Sequence, residues 1–211
     1  MPKRMLPRMT ITTSKIQVPV RRAGSEDTAV GSAVLTAAFF DDPVTEWLVP
    51  DRGRRPAVLP PAFDLYFDAF QPHGETYLTE DGVGVALWLP PARALLQPEE
   101  LDEFGRRMQE AAGPDTARFF ELDEFFQAHA PAEPHWHLQL LGVMPAHQGK
   151  GLGSILLAEV LRRTDHDGDS AYLEATTLRS RALYERHGFD CVGKIVLPDG
   201  PPLWQMWRSP Q

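Results

Sequence analysis

The sequence predicts a mixed α/β fold in which helices flank a sheet, and three observations carry that prediction. Segments with the alternation of strands are interspersed with longer segments whose apolar residues recur every three to four positions. The hydrophobic content, 43% over 211 residues, suffices for one good core. A glycine-rich stretch, "MPAHQGKGLGSILLAEVL" at 144–161, lies where a strand pattern gives way to a helix pattern. Residues 1–14 read as a loose N-terminal arm and 15–211 as one domain.

In chain order, "KIQVPVRR" (15–22) reads as a strand. Residues 25–40 predict a helix capped by Ser25, with Glu26 and Asp27 in the first turn, where the helix dipole favours negative charge. Asp41, Asp42 and Pro43 stop it. A helix over 54–70 follows its prolines, and 75–90 is a hairpin turning at Asp81-Gly82. Two acidic amphipathic helices, 98–112 and 115–130, are parted by Gly113-Pro114. Then come a strand at 135–143, a helix at 151–165, a strand at 171–176, a helix at 179–187, and closing strands near 190–197 and 203–208. The chain shows no internal repeat, low-complexity tract or convincing linker.

Composition narrows the function. A net charge of -8 argues against nucleic acid and anionic membrane as partners, since both demand a basic face, and it suits a cationic substrate. No apolar run approaches the roughly 18 to 20 residues that span a bilayer, and the basic start lacks the apolar region of a signal peptide. The one cysteine, Cys191, excludes an internal disulfide and a cysteine-based zinc cluster, and it fits a reducing compartment, so a cytoplasmic location is expected.

The loop at 148–154 lies between a strand and a helix, where a glycine-rich turn exposes backbone N–H groups at a positive helix terminus, and this is an anion site. Gly149, Gly151 and Gly153 remove side chains that would hold a phosphate away, and Lys150 adds charge. Two nucleotide motifs fail here. A P-loop requires Ser or Thr after its lysine, whereas Gly151 follows Lys150. The dinucleotide fingerprint requires a glycine where Ser154 stands.

The pattern QxxGxG is met by Gln148, Gly151 and Gly153, preceded by "LQLLGV" and followed by "LYERHGF" at 183–189. With these residues the chain resembles the GCN5-related N-acetyltransferase superfamily. Within it, "AAFFDDPVTEWLVPD", "YLEATTLRSRALYERHGF" and "PDGPPLWQMWR" are similar to the puromycin N-acetyltransferase-like members. The resemblance implies a central, mostly antiparallel twisted sheet, splayed at the cofactor site and flanked by helices. It implies acetyl-CoA as cofactor, with the loop from Gln148 through Gly149, Lys150, Gly151, Leu152 and Gly153 to Ser154 on its pyrophosphate. The backbone N–H groups of Leu141, Gly142 and Val143 would point at the thioester carbonyl, with Gly142 permitting the bulge that splays the strands. Ser180 stands near the pantetheine arm, where the resemblance leads us to expect asparagine; Arg181 and Ala182 also depart from its pattern.

Acetyl transfer from sulfur to nitrogen needs a polarised carbonyl, a deprotonated amine and a proton for the departing thiolate. The resemblance places Tyr184 beside the thioester as general acid. For the base, His137 and Glu174 stand on central strands near the split, and a reaction without a dedicated base is the third possibility. No metal site is expected: His135 and His137 share a strand face, but no third ligand is spaced with them. Trp204, Trp207 and the aromatics of 119–126 are expected to fill core and sheet faces. The acceptor site is expected from the first helices, "FFDDPVTEW" and the 98–130 insertion, where Asp41, Asp42, Glu121, Asp123 and Glu124 offer negative charge.

The sequence thus leads to an acetyl-CoA-dependent N-acetyltransferase, monomer or homodimer. Its expected acceptor is a primary amine of a small molecule, such as an amino-nucleoside or other antibiotic in a resistance-type role. A protein or peptide acceptor is one rival, and a non-catalytic acyl-CoA-binding regulatory module is the other.

Overall fold

A computed structural model describes residues 18–211; the 1–14 arm and the start of the predicted 15–22 strand lie outside the described residues. The elements are β1 (Val20–Arg22), α1 (Thr28–Phe39), α2 (Pro43–Leu48), α3 (Arg55–Phe70), β2 (Thr76–Thr79), β3 (Gly84–Leu89), α4 (Leu101–Ala112) and α5 (Thr116–His129). They continue with β4 (Trp136–Val143), α6 (Leu152–Asp167), β5 (Ala171–Ala175), α7 (Leu178–Glu185), β6 (Asp190–Val196) and β7 (Pro202–Arg208). The strands form one sheet in the order β1-β2-β3-β4-β5-β7-β6. Every neighbouring pair is antiparallel except β4 and β5, which run parallel.

That parallel pair is the feature that makes a site. β4 and β5 are in register only at Trp136 with Ala171 and His137 with Tyr172, and beyond these two steps they part. Gln139 bulges from β4: Trp88 of β3 faces Leu138 and Leu87 faces Leu140. An extra residue bends a strand and reverses which side chains face each side. The reversal is visible in the cores. Trp136 and Leu138 face α6 before the bulge, and Leu141 and Val143 face it afterwards. This corrects the role expected of Gly142, which stays in register with Val85. A Cβ on Gly142 would stand 3.2 Å from both the Ala38 Cβ and the Leu35 Cδ2, so its small size serves the approach of α1 to β4.

Two apolar clusters cover the two faces of the sheet. On one, α1, α3 and α5 contribute Leu35, Phe67, Phe70 and Phe119 against Leu87 of β3. On the other, Leu156 and Leu157 of α6 pack on Trp88 and Leu173, with Tyr184 of α7 beside them. Full burial of side chains of this size contributes about 1.5–3 kcal/mol each.

The N-terminal helix signals act differently from expectation. Ser25 does not cap α1; the chain enters through a 3₁₀ turn at Ser25–Asp27, and the Asp27 carboxylate reaches back to the Gly24 N–H (2.9 Å) and is clamped by Arg21. Asp42-Pro43 ends α1 and also starts α2, which the sequence reading lacks: the Asp42 carboxylate accepts from the Val44 N–H (2.9 Å), and proline occupies the first turn.

Candidate active site

The glycine loop closes the split at the C-terminal end of β4. Gly149 (φ 76°) and Gly151 (φ 88°) adopt left-handed backbone conformations, and a Cβ on either would meet nothing within 4 Å. These two glycines are therefore required by backbone conformation, and they leave open space above the loop. Gly151 begins α6, and the first backward helical bond is from the Ile155 N–H to the Gly151 carbonyl (3.1 Å). The N–H groups of Leu152, Gly153 and Ser154 belong to the helix turn that has no intrahelical acceptor. Gly153 has a packing reason: its Cβ would stand 3.1 Å from the Leu183 Cδ2 of α7. Gln148 donates to the Val143 carbonyl (3.1 Å) and ties the loop to β4. Lys150 is turned away: it does not line the cavity, and its Nζ donates to the Ala146 carbonyl (3.0 Å).

The backbone of β4 supplies further donors. The Met144 N–H bonds to the Val83 carbonyl (2.8 Å), and with the β3–β4 register this makes Gly142 and Val85 the hydrogen-bonded pair. Leu141 and Val143 then turn their N–H groups away from β3, toward the split, and both line the cavity. The Gly142 N–H is spent within the sheet, so two of the three expected donors face the site.

The cavity that runs through the split has a volume of about 760 Å³ and takes its walls from both sides of the sheet. The loop residues Gln148, Gly149, Gly151, Leu152, Gly153 and Ser154 line it, as do Ser180 and Tyr184 of α7. Ser180 is held in a reciprocal cap: its N–H donates to the Thr177 Oγ1 (3.0 Å), and the Thr177 N–H donates to its Oγ (3.2 Å). Tyr184 is buried, which raises its pKa well above the ordinary phenol range, and the nearby Asp42 carboxylate adds to the effect. Asp42 is itself buried enough for its pKa to rise, and it accepts from the Thr176 hydroxyl (2.6 Å), which fastens the α1–α2 connection to the end of β5.

Glu174 and His137 come together across the parting strands. The His137 Nε2 lies 2.9 Å from the Glu174 Oε2, while the Glu174 Oε1 is buried and has no hydrogen-bond partner among the described residues. Only Glu174 of the pair lines the main cavity; His137 stands behind it and opens onto a smaller cleft, of about 260 Å³, with His135. His135 is bonded through Nδ1 to the Glu133 carbonyl (2.7 Å). Trp207 stacks edge-on to His135 and Trp204 packs on the α6 core, so both act in packing.

The remaining walls come from α1, α2, α3 and α5. Phe39, Phe63, Tyr66, Phe119 and Phe126 line them, so the aromatics of α5 serve the cavity as well as the core. Among the carboxylates expected here, Asp41, Asp42 and Asp123 line the cavity, whereas Glu121 and Glu124 are exposed outside it. Asp41 is engaged by Arg52 and Arg55. Tyr66, on α3, was missed from sequence because nothing local distinguishes it from a core aromatic; only the fold sets it opposite Asp123, to whose Oδ1 it donates at 3.4 Å.

The Acetyltransferase (GNAT) family matches residues 42–189 of the chain. The chain is 27% identical over 205 residues to an N-acetyltransferase of Schizosaccharomyces pombe described as uncharacterized, covering 90% of this chain and 83% of that protein. It superposes with a TM-score of 0.67 and 30% identity on a structure from Corynebacterium glutamicum titled histone acetyltransferase HPA2 and related acetyltransferase, covering 91% of this chain and 96% of that one. Arylalkylamine N-acetyltransferase 2 of Aedes aegypti shares the fold at a TM-score of 0.61 and 16% identity, covering 92% and 99%. The class is a mixed α/β acetyltransferase with a sheet parted at the site. The chain belongs to the GNAT acetyltransferase family and is an N-acetyltransferase, and enzymes of this family generally take their acetyl group from acetyl-CoA. No helix among the described residues is long and apolar enough to cross a membrane.

Proposed function

We propose that the enzyme acetylates a primary amine of a small molecule, with Glu174 as base and Tyr184 as acid. The observation that carries this reading is the Glu174 carboxylate: one oxygen is fixed by His137, and the other is buried and unpartnered on a residue that lines the cavity. A buried carboxylate oxygen without a donor is costly, and an incoming ammonium satisfies it.

The open cradle above Gly149 and Gly151 fits an acetyl-CoA pyrophosphate, and the N–H groups at the start of α6 suit its charge. Gln148, Gly149, Gly151, Leu152, Gly153, Ser154 and Ser180 would hold it, with Leu141 and Val143 offering N–H groups to a carbonyl oxygen. Acetyl-CoA, when bound, supplies an activated acetyl group as a thioester. Glu174 takes a proton from the acceptor ammonium at its Oε1, and His137 keeps the carboxylate aimed by donating to its Oε2. Tyr184 stays protonated at rest, would give its proton at the sulfur of a bound acetyl-CoA, and would be restored by the second proton that the attacking nitrogen loses on becoming an amide. Its raised pKa makes it a weak donor toward water, but a departing thiolate held in the same dry site would be made more basic by the same desolvation.

The walls that α1, α2, α3 and α5 raise around the cavity support a small acceptor over a protein segment, which favours a flat groove. Amino-nucleoside antibiotics fall within that class through the sequence resemblance, and a resistance-type role in the cytoplasm follows from the same reading. The test is acetyl-CoA turnover, followed by free-thiol release, against small amines, amino-nucleosides and peptides. Small amines should react, and Glu174→Gln should lower the rate by about 10²-fold or more. Turnover confined to peptides overturns the acceptor class, and CoA binding without any turnover favours the regulatory module.

A further inference from the structure

Resting on that reading of the cavity as an acceptor site, we infer that Asp123 and its aromatic surround select an acceptor carrying a second positive charge, set apart by an apolar spacer from the amine that is acetylated. Asp123 projects from α5 and lines the cavity. Its recorded hydrogen-bond partner is the Tyr66 hydroxyl at 3.4 Å, a long contact, and no Lys, Arg or His among the described residues forms an ion pair with it.

The other carboxylates of the cavity are occupied or assigned. Asp41 is paired with arginines, and Asp42 receives the Thr176 hydroxyl and the Val44 N–H. Glu174 stands at the strand split, bound to His137. Asp123 is left as an anionic station on the α5 wall of the cavity, on a different element from Glu174 of β5, and burial holds its pKa up to about 6. It is therefore mostly ionised at neutral pH, with the long Tyr66 contact and no cationic partner among the described residues.

The walls complement a cation as well. Phe63, Tyr66, Phe119 and Phe126 line the same cavity, and the faces of aromatic rings attract positive charge. A carboxylate beside such rings recognises ammonium or guanidinium. The cation in question is not the reacting nitrogen, which has to lose its proton at Glu174 before it attacks. A substrate that satisfies both stations has a nucleophilic amine at one end, an apolar middle against the aromatic wall, and a permanent cation at the other.

The test is calorimetry on CoA-saturated protein with 1,5-diaminopentane, 1,7-diaminoheptane and 1,9-diaminononane, each paired with the monoamine of the same chain length. At one of these lengths the diamine should bind at least about 10-fold tighter than its monoamine, and Asp123→Asn should bring the two within about 2-fold by weakening the diamine alone. Asn is isosteric with the protonated side chain, so the variant should fold, and its unchanged CoA affinity checks that it has. Equal binding of diamine and monoamine at every length in the wild type, or a preference that survives Asp123→Asn, overturns the inference and leaves the acceptor site standing. Binding of neither kind of amine overturns the acceptor site, and the inference with it.

Discussion

Asp42, Asp123 and Glu174 all line one cavity, yet their surroundings put them to different uses. Asp42 is satisfied by a backbone N–H and a threonine hydroxyl and fastens two elements. Glu174 is half satisfied, and Asp123 nearly unsatisfied. The condition of Asp123 has a cost in stability whose pH dependence can be stated. Its folded pKa, about 6, lies above the model-compound value of 3.8, so the unfolded chain releases this proton first and the group disfavours the folded state as pH rises from about 4 through 6. Asp123→Asn removes that penalty. Chemical denaturation should show the variant gaining stability relative to wild type across this window, from nothing near pH 4 to at most about 3 kcal/mol above pH 6. A constant difference at all pH values would place the effect in packing. At this scale the sequence was legible where a motif is local. Tyr184 in "YERHGF" and the glycines of 149–153 are singled out by their neighbours in the chain alone, and all of them line the cavity. The proposed preference for Glu174 over His137 was not legible, because it rests on which of two residues 37 positions apart faces the cavity.

Elements were read well where apolar periodicity runs long, as in α3, α6 and the β2–β3 hairpin, and poorly where an element is short. The six residues of α2 give no periodic signal, and Asp42-Pro43, which reads in sequence as the end of α1, also starts the next helix. The sequence suggests a bulge at Gly142, since glycine is the usual marker of irregular strands, whereas the bulge lies at Gln139 and Gly142 answers to the approach of α1. Lys150 likewise looks electrostatic in sequence, yet it caps a local carbonyl in the structure. What the loop offers an anion is thus backbone geometry more than side-chain charge. Gly151→Asp tests this at its strictest point, because it adds bulk and negative charge to a position with φ of 88° and nothing within 4 Å. Calorimetry should show CoA affinity falling by about 10²-fold or more, while unfolding measurements should register about 1 kcal/mol of backbone strain. An unchanged affinity in the folded variant would remove the loop from the cofactor site.

At the scale of the molecule, the parted strands open one cavity to residues from both faces of the sheet. Tyr184 belongs to the α6–α7 face, while Tyr172 and Glu174 alternate with Leu173 and so point to the opposite face. The loop and the walls proposed to hold donor and acceptor are therefore built on different cores, and they should be separable by mutation. Trp47 of α2 is the place to separate them. Its indole N–H donates to the Pro198 carbonyl (2.8 Å) in the β6–β7 connection, Arg118 of α5 donates to its carbonyl, and the same guanidinium lies 5.4 Å from its ring. Trp47 does not line the cavity, whereas Val44, Thr45 and Leu48 of the same helix do. It holds the back of the acceptor wall to both α5 and the sheet. Trp47→Ala opens a hole in that anchor and should cost about 3–5 kcal/mol of stability. Because α2 and α5 line the proposed acceptor side of the cavity and the glycine loop is rooted in β4 and α6, the acceptor KM should rise about 10-fold or more while CoA affinity stays within about 2-fold of wild type. Steady-state kinetics below the variant's unfolding temperature, with CoA calorimetry alongside, decide the matter. A parallel loss of CoA and acceptor binding would mean that the two faces behave as one cooperative unit and that the parted sheet does not insulate the donor half from the acceptor half.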